Sequence, residues 1–199
     1  TETDTVNGPI SFSAGSGMTP EIMAITLLLG GPDADYEKVF AEKIVWVKGM
    51  SGSERRLAFR RGDLAATREN PAAYKKHVEP VIAEGKAYTW FHHGLLDVAT
   101  GNHVKDPNFT EPTLEALYEE RWGVAPSGDF YDAYKLVKSW RDALQKAFWV
   151  NAGNPNKDKL VDALNKMLMD PDSVAAIEKK VGKYEWRTGV DGDNAVKTL

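Results

Sequence analysis

Two glycine-rich loops, each lying between a short β-type run and a helix, constrain this chain most. The first, SAGSGMTPE, covers residues 13–21 after the run 10–13, and the second, KGMSGSE, covers residues 48–54 after the run 44–47. A strand that turns through glycine into a helix leaves the first helical N–H groups without intrahelical partners, near the positive end of the helix dipole. Such a terminus favours anions. Two of them predict one ligand site at the carboxyl edge of a shared sheet.

Short apolar or β-rich runs alternate with helical patterns, which predicts an α/β fold with a three-layer, mostly parallel sheet and helices on both faces. The further strands are expected at 64–67, 87–91 and 147–150. Thr19 and Pro20 are typical of a helix start, and the apolar residues that follow on all sides predict a buried helix. A second helix is predicted from about Ser53 to Arg61, with Gly62 as its end.

The later helices carry equally local signals. Pro80 should split the segment 72–84 into two short helices. Residues 99–111 are polar and predict a loop before a helix capped by Thr113. A long amphipathic helix is predicted from about Phe130, followed by helices over 160–168 and 174–181. The apolar stripe of the long helix, expected to face the core, is Ala133, Leu136, Val137, Trp140, Ala143, Leu144 and Ala147.

Composition excludes several functions. The chain has 199 residues, a net charge of −4 and no cysteine. An acidic balance argues against a nucleic-acid surface, which normally needs a basic face. Without cysteine there are no disulfides, no thiolate catalysis and no cysteine-ligated zinc. The longest apolar run, residues 22–29, is far shorter than the roughly 20 residues that cross a bilayer.

Six motifs follow one another in a recognisable order. They are FSAGSG at 12–17, VWVKG at 45–49, RGDLA at 61–65, PVIAEGK at 80–86, PTLE at 112–115 and FWVNAGNP at 148–155. In this order they resemble, over nearly the whole chain, the second half of the substrate-binding proteins of tripartite tricarboxylate transporters, the TctC or Bug family. The most specific match is the pair of the lysine-glycine loop and the glycine-aspartate turn that follows it.

The resemblance implies a type II periplasmic-binding-protein-like lobe. Residues 8–127 would form the α/β ligand-binding lobe, and residues 128–199 the long helix, a return strand and the C-terminal helices. The family's first lobe would then precede Thr1 in a longer protein. The implied function is capture of a small, di- or tricarboxylate-like ligand in the periplasm and its delivery to the membrane subunits of a transporter. No catalysis is required, so no enzyme is predicted.

The candidate ligand-binding residues come from the two loops and the end of the third predicted strand. Backbone N–H groups and serine hydroxyls would hold a carboxylate by charge-assisted hydrogen bonds. The structural alternative is a pair of tight turns in which glycine supplies unusual backbone angles and serine caps a helix. The predicted site residues are Ser13, Gly15, Ser16, Gly17, Lys48, Gly49, Ser51, Gly52, Ser53, Thr67 and Arg68.

Other functions are considered beside this one. The main alternative is an α/β enzyme that binds a phosphorylated or nucleotide substrate through the same loops, although the chain lacks a lysine-containing phosphate loop and a G-x-S-x-G elbow. His92, His93, Asp97 and His103 match no metal-ligand spacing, so neither a metal nor a cofactor is predicted. The helix over 130–147 departs from the family pattern. It would cover part of a cleft, form a homodimer contact, or mark a branch with another solute.

Overall fold

The structure is a computed structural model, and it describes residues 9–13, 19–97, 102–144, 148, 150–151, 153–181, 186–189 and 192. Helices dominate these residues, and the strands are short. In chain order the elements are β1 (Ile10–Ser13), α1 (Pro20–Gly30), α2 (Tyr36–Lys43), β2 (Ile44–Val47), α3 (Gly52–Arg61), α4 (Pro71–His77), α5 (Glu79–Ala83), β3 (Leu95–Leu96), β4 (His103–Val104), α6 (Leu114–Trp122), α7 (Asp129–Leu144), α8 (Lys157–Met169) and α9 (Pro171–Val181).

The predicted three-layer, mostly parallel sheet is wrong, and so is the type II periplasmic-binding-protein-like lobe built on it. Within the described ranges, β1 and β2 form a two-stranded parallel sheet in which Ser13 lies opposite Val47. One isolated parallel bridge adds Ala66 beside Phe12. Strands β3 and β4 form a separate antiparallel pair, and β4 lies within residues 99–111, which were expected to be loop.

The third predicted strand, over residues 64–67, stops at that single bridge. The amides of Ala65 and Ala66 both donate to the Ser11 carbonyl, at 3.0 and 3.1 Å. The Ser11 hydroxyl also accepts from the Ala65 amide, at 2.8 Å. One residue of β1 therefore takes both donors, and the evenly spaced hydrogen bonds of a longer parallel ladder do not form.

The segment 87–91 belongs to no strand, and the next residue, His92, makes a single parallel bridge with Thr113. Trp90 and Phe91 are half-buried and pack against both apolar cores, so their rings hold the segment without ladder hydrogen bonds. Apolar periodicity cannot distinguish such a segment from a paired strand. In the expected strand over 147–150, residues 147 and 149 lie outside the described residues, while Phe148 and Val150 are in no strand.

The helix signals are confirmed. Thr19 caps α1, with Pro20 at its first position and Gly31 at its end. Helix α3 begins at Gly52 and ends before Gly62, within one residue of the expected bounds. Pro80 lies in α5, which is separated from α4 as the sequence predicts. Among the described helices, none is long and apolar enough to cross a membrane.

Two apolar cores meet on α1, which is buried from Pro20 to Leu28, as its apolar residues on all sides predict. One face packs on β1 and β2 through Ile22 and Ile25. Another face packs on α6 and α7 around Tyr118 and Tyr134. Because α1 serves both cores, the position of each of its side chains is fixed from two directions.

Helix α7 buries only part of the predicted stripe: Val137 packs against the core, and the side chains of Ala143, Leu144 and Ala147 lie outside what the structure describes. In the expected core stripe, Leu136 and Trp140 are 64% and 58% exposed, whereas Tyr134 and Lys138 are fully buried. Tyr134, Lys138 and Arg141 share one side of the helix by their spacing of four and three residues. This polar face can be buried because its groups find partners on α1 and near β3.

Candidate functional site

A cavity of about 660 Å³ lies between α1, α7 and the segments 65–71 and 85–95. Ligand sites in proteins typically have volumes of about 300–1,000 Å³ and combine an apolar wall with a few polar groups. This wall has both parts. The charged residues near Glu21 are Glu21, Arg68, Lys138, Arg141 and Asp142. The principal aromatic rings are Tyr74, Trp90, Phe91 and Phe109.

Glu21 is the centre of the charged part. It lies in the first turn of α1, and its side chain is only 6% exposed. Arg141 donates from Nη1 to Glu21 Oε1, and Arg68 Nε lies 3.5 Å from the same oxygen. The side chains of Arg68 and Arg141 are 31% and 27% exposed, so Glu21 lies behind two more accessible guanidinium groups.

The electrostatics of Glu21 follow from this arrangement. Burial raises the pKa of a carboxyl group, but Arg141, His93 in its protonated form, and Arg68 together lower the pKa of Glu21 to about 2. Burial also lowers the pKa of His93 to about 3, so this histidine is neutral near neutral pH. Glu21 is therefore ionised at physiological pH, and the two arginines are the cations that keep it so.

Polar atoms of this cluster remain without partners. Glu21 Oε2, Arg68 Nε and Arg141 Nε are buried and make no hydrogen bond with any described residue. Thr67 Oγ1 and Trp90 Nε1, which belong to the cavity wall, are in the same condition. Unpartnered buried polar atoms are uncommon in native proteins and call for an explanation. Several of those among the described residues belong to the wall of this cavity.

Lys138 and Asp142 form the second charged pair, one turn apart on α7. Lys138 Nζ also donates to the Gly94 carbonyl at 3.3 Å, which ties the helix to the start of β3. Burial lowers the pKa of Lys138 and raises the pKa of Asp142. The pair has a total charge of zero whichever partner holds the proton.

His93 and Tyr134 connect the cavity to the core. His93 Nδ1 and Tyr134 Oη are 2.8 Å apart, and the two rings lie in contact. Tyr131 donates to Glu115 Oε1 at 3.2 Å and stacks on Tyr134. This polar network orients α7, and with it Lys138 and Arg141, toward the cavity.

The two glycine-rich loops follow adjacent strands at the same sheet edge, because β1 and β2 are parallel and end together at Ser13 and Val47. Ser13 is fully buried, and its hydroxyl has no hydrogen-bond partner among the described residues. Gly15, Ser16 and Gly17 lie outside the described residues.

The second loop forms a helix cap. Ser51 Oγ accepts from the Glu54 amide at 3.4 Å, and Glu54 Oε2 accepts from the Ser51 amide at 2.8 Å. This capping box is the structural alternative foreseen for the loop. The predicted site residues Lys48, Gly49, Ser51, Gly52 and Ser53 of this loop do not line the cavity, and neither does Ser13 of the first loop.

Thr67 and Arg68, predicted from the end of the third run, do line the cavity. The bridge at Ala66 ends directly before them, so the short sheet delivers both residues to its carboxyl edge. Lys48, the other predicted cation, is exposed and lies over the Trp46 ring at 4.4 Å. The two predicted cations are therefore in different environments.

Sequence reasoning missed Glu21 and the charged residues of α7. A signal existed for Glu21, because it is the one charged residue in the apolar helix α1. A second signal was the spacing of Lys138, Arg141 and Asp142 on one side of α7, which resembles an ordinary solvated face. Only the partners of these residues in the folded protein distinguish a buried charged face from a solvated one.

Within the described part of the chain, no group of three or more His, Cys, Asp or Glu residues could hold a metal ion. His92 stacks on Phe109 with 5.3 Å between ring centroids, and its Nδ1 accepts from the Gly94 amide at 3.0 Å. His93 is engaged with Tyr134. Both histidines thus have partners within the fold.

Comparison with known proteins adds no relative. No protein-family model, no curated protein and no solved structure matches the chain. The resemblance to the TctC or Bug family therefore rests on the sequence motifs alone.

Proposed function

We propose that this chain is a solute-binding protein that captures a small carboxylate in the cavity between α1 and α7. The observation that carries the proposal is the charge of the cluster at its wall. Around Glu21, the three cations Arg68, Lys138 and Arg141 outnumber the two anions Glu21 and Asp142 by one. The wall also contains Glu69, which pairs with Arg56, Lys86, which pairs with Glu84, and Asp106. The cluster by itself therefore has one positive charge in excess in a partly buried place, where an anion is its natural partner.

Arginine suits this role because its planar guanidinium can bind both oxygens of a carboxylate at once. Glu21 holds Arg68 and Arg141 next to each other from behind, which orients them before a ligand arrives. A ligand carboxylate would add acceptors on the accessible side of the two guanidinium groups. Each charge-assisted hydrogen bond contributes roughly 1.5–3 kcal/mol, so a few suffice for micromolar binding.

The transport role is the broader part of the proposal. It comes from the motif resemblance, in which the carboxylate is handed to the membrane subunits of a transporter in the periplasm. The cavity supports only the binding step, and that step requires no chemistry on the ligand. The binding step is therefore tested first.

A thermal-shift and calorimetric comparison of two ligand panels tests it. Mono-, di- and tricarboxylates form one panel, and nucleotides and sugar phosphates form the other. A carboxylate at one hundred times its dissociation constant should add about 2.7 kcal/mol to the free energy of unfolding. A response to the second panel alone would contradict the proposal and favour an enzyme with a phosphorylated substrate.

Arg68→Ala provides the residue-level test, with Arg61→Ala as its matched control. Arg61 is exposed, pairs with Asp63 and does not line the cavity. We expect Arg68→Ala to weaken carboxylate binding at least tenfold and Arg61→Ala to leave it unchanged. Equal affinities in the two variants would remove Arg68, and with it the cationic cluster, from the site.

A further inference from the structure

Aromatic rings form much of the apolar part of the cavity wall. Tyr74, Trp90, Phe91 and Phe109 line it and are half-buried. They stand in edge-to-face pairs, with 5.1 Å between the Tyr74 and Phe109 centroids and 5.8 Å between those of Trp90 and Phe91. Tyr74 Oη lies 2.9 Å from Thr89 Oγ1, which fixes one ring further. A wall of oriented rings suits a flat apolar group, since aromatic rings favour edge-to-face and offset contacts.

The charge of the cluster fits one carboxylate rather than several. Glu21 offsets one of the two arginine charges, and Asp142 offsets Lys138, so this cluster keeps a single positive charge. Elsewhere in the wall, Lys86 pairs with Glu84, and Asp106 is acidic, so neither provides a free cation for a second carboxylate. His93 adds none near neutral pH. A tricarboxylate would bring three negative charges to this one cation, and the surplus charges would lose hydration without gaining partners.

The size of the cavity favours the same kind of ligand. A volume of about 660 Å³ is in the range that accommodates ligands larger than a short polar acid. A di- or tricarboxylate bound at the arginines would leave the aromatic wall in contact with water. A ring attached to the carboxylate would cover this wall and remove apolar surface from water on both sides.

We propose that the ligand of this cavity is an aromatic monocarboxylate, with its carboxylate at Arg68 and Arg141 and its ring against Trp90 and Phe91. This inference rests on the proposed function and narrows its ligand class. The two can nevertheless fail separately, because the carboxylate and the ring are recognised by different parts of the wall.

Calorimetry on the full chain with four ligands separates these outcomes. Benzoate has both features, benzyl alcohol lacks the charge, and succinate and citrate lack the ring. We expect benzoate to bind at least tenfold more tightly than each of the other three. If no carboxylate binds, the proposed function fails and this inference with it. If succinate or citrate binds more tightly than benzoate, the proposed function stands and the aromatic ligand is overturned. If benzyl alcohol binds as tightly as benzoate, the cationic cluster takes no part in binding, and both the proposed function and the aromatic-monocarboxylate inference are overturned.

Trp90 and Trp46 offer a matched pair of variants. Both are half-buried, both have a buried indole Nε1 without a partner among the described residues, and both pack against the core around β1. Only Trp90 lines the cavity. Trp90→Leu should weaken benzoate binding at least fivefold, whereas Trp46→Leu should leave it within twofold. If circular dichroism shows that Trp90→Leu does not fold, Phe109→Leu takes its place with the same expectation. If the cavity variant and Trp46→Leu change the affinity for benzoate equally, the aromatic contact is overturned.

Discussion

Replacing Arg141 by Met should destabilise the protein in a way that depends on pH. Arg141 is the first of the charges that lower the pKa of Glu21 from its ordinary value of 4.5 to about 2. At about 1.36 kcal/mol per pH unit, that lowering corresponds to on the order of 3 kcal/mol of stability above pH 4.5. With Arg68 at 3.5 Å as the nearest remaining cation, we expect a loss of about 2 kcal/mol at pH 7. Met keeps the helix propensity of this position in α7.

The sign of the pH dependence follows from the direction of the shift. In the wild type the contribution of Glu21 is complete above pH 4.5 and is lost as the pH falls to about 2. In Arg141→Met burial raises the pKa of Glu21, so the carboxyl group takes up a proton as the pH falls. The free-energy cost of burying an ionised carboxylate then disappears. The stability gap between wild type and variant should therefore narrow from pH 7 to pH 4.

Urea unfolding of both proteins at pH 7 and pH 4 measures the gap. Arg61→Met is the control, because its ion pair with Asp63 is exposed at the surface and should contribute less than about 1 kcal/mol at either pH. A gap for Arg141→Met that equals that of Arg61→Met, or that stays constant between the two pH values, would refute the assignment of Glu21 as a buried, ionised partner.

Three further variants test the elements around the site. Gly94→Ala should lower the unfolding free energy in urea by about 2–5 kcal/mol, because Gly94 has φ +71° and a Cβ there would lie 2.5 Å from the Val104 carbonyl oxygen. The control Gly123→Ala, at φ +74° with open space around it, should lower it by only about 1–2 kcal/mol. Equal losses in the two variants would contradict the close approach at Gly94. Tyr134→Phe removes the partner of His93 Nδ1 and should lower the unfolding free energy by about 1–3 kcal/mol, whereas no change would show that this hydrogen bond is not formed. Ser51→Ala removes the α3 cap and should cost about 1 kcal/mol with unchanged carboxylate affinity; a loss of affinity would return this loop to the site.

Local signals predicted the parts of the fold that local chemistry decides. Thr19 and Pro20 begin α1, Ser51 and Gly62 bound α3, and Pro80 marks a break, each through contacts within a few residues. Such contacts are visible in the sequence because the partners are neighbours along the chain. The shared edge after β1 and β2 was also predicted, from the local pattern of a strand, a glycine turn and a helix, although the paired residues lie far apart in the chain and the wider sheet is absent from the described residues.

The errors concern contacts between distant residues. The partner of Arg141 in α1 lies 120 residues earlier, and the partner of Tyr134 lies 41 residues earlier. Hydrophobic periodicity assigns the apolar stripe of α7 to the core because it assumes that polar residues face water. That assumption fails where a polar face finds its partners inside, as Lys138 does with Asp142 and Gly94.

The burial of charged residues on α7 is also the strongest physical reason to assign a role to the cluster. A buried ion pair is a weak source of stability, since replacing it by well-packed apolar residues is often neutral or stabilising. Leu136 and Trp140 were available on the same helix to fill the core, yet they are exposed while Lys138 and Arg141 point inward. Burial of the charged face is thus not the arrangement that apolar burial alone favours. What the chain gains from it is a pair of guanidinium groups held behind a cavity, which is the feature that a carboxylate ligand requires.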